Sequence, residues 1–108
     1  MNSLIMNSLI IQKYDDLYNR HIDLDGFNKM IPENKKFITE GDIVKYIHFD
    51  DKDEKIKTAF IIKKFDNKIL LKSFSFNNKS IVWYIWFKNN FIFYKSKNIF
   101  KNFIIKKV

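Results

Sequence analysis

The apolar residues Ile10, Tyr14, Leu17 and Tyr18 recur at steps of three and four, a spacing that predicts a helix over 6–20 with one apolar face. Ser3 or Ser8 can cap it. Asp23, Asp25 and Gly26 then signal a turn. Residues 27–40 read as irregular, with Pro32 pressing Ile31 toward an extended backbone. After Gly41-Asp42 the pattern changes to strands, predicted over 43–49, 57–65, 68–74, 80–87 and 91–95. A charged loop, 50–54, separates the first two strands. Tight turns are expected at Asp66-Asn67, over 77–79 and at Asn89-Asn90, where asparagine supplies the left-handed backbone that the scarce glycines do not. The apolar stretch 99–105 reads as strand or short helix.

In the fourth strand Ile81, Trp83, Ile85 and Phe87 share one face, and Val82, Tyr84 and Trp86 share the other. Both faces are apolar. The strand is therefore either covered on both sides or presents one face as a binding surface. Strands joined by short turns form a meander, which is expected to curl into a small barrel and so limit its free edges.

At 108 residues the chain suits one domain with a modest core. The absence of cysteine excludes disulfides, a thiolate nucleophile and a cysteine-based zinc site. Two glycines leave no phosphate-cradling glycine loop. Met1–Ile5 is repeated as Met6–Ile10, which reads either as an alternative start at Met6 or as a slipped repeat. No basic segment precedes this apolar stretch and no small-residue cleavage site follows, so no signal peptide is expected. No run reaches the roughly 18–20 apolar residues of a membrane span.

Charge changes the picture most. Residues 1–54 hold seven Lys/Arg against eleven Asp/Glu, a balance of −4. Residues 55–108 hold thirteen lysines and one acid, Asp66, a balance of +12. The A/T-rich codons of Lys, Asn, Ile and Phe account for the net charge more readily than for this asymmetry. A basic half laced with rings attracts polyanions and offers flat surfaces to bases.

Catalytic and metal chemistry find little support. Asp23-Leu24-Asp25-Gly26 resembles the start of a calcium loop, but Phe27, Asn28 and Asn34 stand where a fifth-position oxygen donor, a glycine and a closing acid are needed. The acids of 50–54 read as a solvated loop. His21 and His48 lie in different elements with no acidic or serine partner at a recognisable spacing. The chain is therefore read as no enzyme, with no cofactor and no metal. Tyr46, Phe60, Tyr84, Trp86 and Tyr94 are candidates for one aromatic face, Tyr84 and Trp86 foremost because Trp83 can anchor the core. Lys63, Lys64, Lys68, Lys72, Lys79, Lys88, Lys95 and Lys97 lie near turns or strand ends and suit a phosphate-facing rim. Lys101, Lys106 and Lys107 add a basic tail, and the single arginine, Arg20, sits in the acidic half. That placement argues against sequence-specific DNA readout, which commonly uses bidentate arginine.

Phe37-Ile38, Gly41-Asp42-Ile43-Val44-Lys45-Tyr46-Ile47, Lys68-Ile69-Leu70-Leu71-Lys72, Trp83-Tyr84-Ile85 and Phe91-Ile92-Phe93-Tyr94-Lys95 carry a resemblance. Over 37–95 the chain resembles small uncharacterised proteins of giant DNA viruses with an SH3-like or Tudor-like barrel. It departs from peptide-binding SH3 domains in lacking an Ala-Leu-Tyr-Asp-Tyr run. The resemblance implies a viral or virion-associated protein, in the virion or the host cytoplasm, and transfers no functional residue. The combined expectation is a mainly β fold. An N-terminal helix and irregular acidic segment (1–40) precede an SH3-like antiparallel barrel of about five strands with a basic tail (41–108). The expected function is low-specificity nucleic-acid or polyanion binding through Tyr46, Lys63, Lys64, Lys72, Tyr84, Trp86, Lys88 and Lys95. The alternatives are a protein-interaction or virion structural role with charge-steered self-assembly, and an aromatic box for a methylated ammonium.

Overall fold

A single antiparallel sheet with a core on each side organises the chain; the computed structural model describes residues 2–73 and 81–96. Helix α1 (Asn2–Arg20) covers the predicted 6–20 and starts earlier. Its periodic residues turn inward: Tyr14 and Leu17 are buried, with Ile10 and Tyr18 packed beside them. Arg20 in the last turn suits the negative end of the helix dipole. Among the described residues no helix is long and apolar enough to cross a membrane.

The strands are β1 (Asn28–Lys29), β2 (Ile43–His48), β3 (Lys57–Lys64), β4 (Lys68–Lys72), β5 (Val82–Trp86) and β6 (Asn90–Lys95). Their spatial order is β1-β6-β2-β3-β4-β5. Residues 27–40, read as irregular, contribute the short β1, which pairs with β6, and a 3₁₀ helix over Pro32–Phe37. The turn expected over 77–79 and the stretch 99–105 lie outside the described residues.

Gly41-Asp42 opens the meander for a physical reason. Gly41 has φ +88° and its N–H donates to the Ile61 carbonyl at 2.7 Å. Buried Asp42 accepts the Thr39 N–H at 2.9 Å, closing the corner. The Asp66-Asn67 turn then links β3 to β4, with Phe65 N–H donating to the Lys68 carbonyl at 2.9 Å.

The tight hairpin expected at Asn89-Asn90 does not form. A 3₁₀ turn over Phe87–Asn89 carries the chain away from β5, and β6 returns to pair with β2, from Ile43↔Lys95 to His48↔Asn90. Three bonds hold this crossing. Phe87 N–H donates to the Asn67 carbonyl at 3.0 Å, Phe49 N–H to the Asn89 carbonyl at 2.9 Å, and the buried Asn90 amide to the Trp86 carbonyl at 2.9 Å.

The sheet curls. In a flat sheet β2 and β5, three places apart, would lie about 14 Å from each other. Here Trp83 Nε1–H on β5 donates to the Tyr46 hydroxyl on β2 at 2.8 Å. The curl encloses a core of Val44, Ala59, Ile61, Ile69, Leu71 and Ile92 with their neighbours. It does not close, and β1 and β5 remain the edge strands of the described sheet.

On the opposite side α1 covers β2 and β6. Tyr14 meets Phe91 and Phe93 edge-on at 5.2 and 5.3 Å. Because β1 is only two residues long, the Ile92 N–H on that side of β6 has no strand partner. The Tyr14 hydroxyl accepts it at 2.9 Å, and burial pushes the pKa of that hydroxyl far above its usual value.

Candidate functional site

Beyond the helix, the outer face of β3, β4 and β5 is uncovered among the described residues. Directly paired residues of antiparallel strands share a face, so the registers define three outward rows. Phe60 pairs with Lys72 and Lys72 with Val82; Lys63 pairs with Leu70 and Leu70 with Tyr84; Lys68 pairs with Trp86. The inward residues of β5 are Trp83 and Ile85, while Tyr84 and Trp86 are 50% and 39% exposed. Of the two arrangements open for this strand, it is an edge strand with one exposed face.

A β-bulge decides which lysine joins this face. Ile61 and Lys63 are two apart and would share a face in a regular strand. The register shift between them inserts Ile62, so Ile61 stays in the core while Lys63 points outward beside Leu70. Lys64 is thereby turned to the inner side, where its ammonium lies 3.4 Å from the Lys35 carbonyl.

The rings and cations interlock at the β3–β4 turn. Lys68 Nζ lies 4.4 Å from the Tyr84 ring centre, 5.1 Å from that of Trp86 and 5.5 Å from that of Phe65. Lys63 lies 5.3 Å from the Phe65 ring, and Lys88, on the 3₁₀ turn, 5.8 Å from that of Trp86. Phe65 and Tyr84 are tilted neighbours at 6.0 Å. Each such exposed cation–π contact contributes about 0.5–1 kcal/mol. Among the described residues, no carboxylate pairs with Lys63, Lys68, Lys72 or Lys88.

The predicted set therefore divides. Lys63, Tyr84, Trp86 and Lys88 come together, and Lys72 shares their face at the other end of β4, beside Val82. Tyr46 does not: it is 5% exposed, in the core, with its hydroxyl accepting from Trp83. Burial raises the pKa of that hydroxyl, and the Trp83 bond partly offsets the rise. Tyr94 is also buried, so the five aromatic candidates do not share one face. Lys64 is removed by the bulge. Lys95 lies in the Lys72 row but three strands away, 5.9 Å from the Phe27 ring. Lys68 stands at the centre of the cluster rather than only on its rim, and Phe65 joins it although the spacing of the strands does not single it out. The flanks of the Asp66-Asn67 turn are the signal that would have found both.

The other pole is built differently. Glu54 accepts from both Arg20 terminal nitrogens at 2.7 and 2.8 Å, from Lys13 at 3.2 Å and contacts His21 Nε2 at 3.0 Å. Arg20 also bonds Asp16 at 2.8 and 3.0 Å. The Arg20 bonds, then His21 and Lys13, hold the Glu54 carboxyl well below the usual carboxylate range. So the loop 50–54 is not merely solvated, and His21 has an acidic partner that lies far away in sequence. Glu54 has φ +51°, a left-handed conformation costing about 1–2 kcal/mol for a residue with a side chain. Asp51 accepts the N–H groups of Asp53 and Lys55 at 3.0 and 3.1 Å and fixes the loop. Among the described residues no group of three or more histidines or acids could hold a metal ion.

Comparison with protein-family models, with curated proteins and with solved structures finds no match to the chain.

Proposed function

We propose that this protein is a non-catalytic module, an SH3-like or Tudor-like small barrel, that binds nucleic acid with low sequence specificity on the outer face of β3, β4 and β5. The observation that carries the reading is Lys63, Lys68 and Lys88 standing around the rings of Phe65, Tyr84 and Trp86 with no carboxylate partner among the described residues. Uncompensated ammonium groups keep their field for an incoming phosphate, and the rings offer stacking that any base satisfies. Lysine acts here as a point charge, which positions a backbone without reading its sequence. The barrel reading is supported by the curl that joins Trp83 to Tyr46 and by a last strand that returns beside the first strand of the meander. A methylated ammonium is a poorer guest, because Lys68 already lies against the Tyr84 and Trp86 rings.

Binding of labelled single- and double-stranded oligonucleotides across a salt series tests this. With three to four lysines engaged, log K is expected to fall linearly with log salt, with a slope of about −2 to −4. Absent or salt-independent binding overturns the reading.

A further inference from the structure

The edge of β5 borders a second feature. A groove of about 560 Å³ runs between β5 and the end of β2, within the size range of ligand sites. Tyr46 and Trp83 line it from the core, Tyr84 and Trp86 from β5, and His48 and Lys57 from β2 and β3. Lys57 pairs directly with Tyr46, so it belongs to the inner side at the open end of the curl. None of the groove's lining residues is an acid. We propose that this groove seats one unpaired nucleotide, so that the protein selects single-stranded over duplex nucleic acid. The proposal rests on the nucleic-acid reading above and specifies its substrate.

Three features fit an unpaired nucleotide. First, the groove supplies donors. Lys57 brings an ammonium, and the Tyr46 oxygen accepts from Trp83, which leaves its own hydrogen to donate. His48 Nδ1 accepts the Asp50 N–H at 3.1 Å, so the neutral ring carries its hydrogen on Nε2. Second, the β5 edge offers backbone groups. Ile81 and Phe87 bond on the β4 side, so the alternate residue Tyr84 turns its N–H and C=O away from β4, toward the edge that no described strand covers. A base edge can pair there without strict selection. Third, Trp86 belongs to both features, lining the groove while Lys68 and Lys88 lie near its ring. A strand can thus cross β5 with one base in the groove and its phosphates near the lysines outside. Paired bases in a duplex show no free face to such rings.

The test compares a ten-nucleotide thymidine strand with a ten-base-pair duplex at one salt concentration, by fluorescence anisotropy of the labelled nucleic acid. The strand is expected to bind at least tenfold more tightly. Trp86→Ala is expected to weaken strand binding roughly 5- to 150-fold, the range of one lost base–ring stack, with little change for the duplex. Trp86→Phe restores part of the loss. Equal, salt-dependent affinity for strand and duplex overturns the groove while leaving the outer-face reading intact. A strand preference that survives Lys57→Ala together with His48→Ala, side chains that line the groove and not the outer face, also overturns the groove. Absence of binding to both polymers overturns both proposals.

Discussion

The pole where α1 meets the 50–54 loop and the outer face of β3, β4 and β5 are both rich in charge, but they use it in opposite ways. At the first, Arg20 and Lys13 are held by Asp16 and Glu54, joining residues 34 and 41 apart in sequence. At the second, Lys63, Lys68 and Lys88 meet rings and no described carboxylate. Paired charge spends its field inside the molecule and fixes a helix and a strained loop. Unpaired charge leaves its field in solvent, where it can act on a partner. On the proposed reading, the difference puts binding on the strands and fastening at the helix.

The comparison breaks if disturbing the helix side alters binding. Phe93 is fully buried beneath α1, in contact with Tyr14 and Tyr18. Phe93→Ala is expected to cost about 3–5 kcal/mol of stability through the cavity it leaves. Urea unfolding followed by circular dichroism measures that loss. The folded fraction is expected to keep its oligonucleotide affinity within about twofold, since the lost ring touches no residue of the outer face.

A smaller effect sharpens the same contrast through pH. The bonds from Arg20, then His21 and Lys13, depress the Glu54 carboxyl below its ordinary 4.5, and bonds from Arg20 depress that of Asp16 as well. A depressed folded-state value means stability that is fully present above the unfolded-state pKa and lost as pH falls through the folded one. Wild-type protein is therefore expected to lose stability progressively below about pH 5. Glu54→Gln should flatten part of that decline while lowering stability at neutral pH. Denaturant midpoints at pH 7 and near pH 3 give the comparison. Equal pH dependence in the two proteins would remove the Glu54 pairing as a fastening of α1.

Much of this arrangement was legible in local spacing. The steps from Ile10 to Tyr18 gave away the helix, and the alternation in β5 separated Trp83 and Ile85 from Tyr84 and Trp86. Those signals are periodicities of a single segment. What escaped depends on partners distant in the chain. Asn89-Asn90 has the chemistry of a hairpin turn, and nothing local says that β6 pairs with β2 instead of β5. The bulge at Ile62 reverses the facing of Lys63 and Lys64, and no residue around it is a glycine that would have marked it. Tyr46 lies in a strand with Val44 and Tyr46 on one face and Ile43, Lys45 and Ile47 on the other, so apolar residues stand on both. Only the curl and the helix determine which of them meets Trp83.

The central claim is that uncompensated lysines on the strand face carry binding, and one measurement reaches it most directly. Replacing Lys63, Lys68 and Lys88 together by alanine and titrating a single-stranded oligonucleotide across a salt series compares the slope of log K against log salt with that of the wild type. The account predicts a slope shallower by about 2, at roughly 0.7 per engaged lysine, and weaker binding at low salt. The variant should stay folded, with a midpoint lowered only by the lost lysine–ring contacts, because among the described residues these side chains pair with no carboxylate. An unchanged slope and affinity in a folded variant would contradict the account.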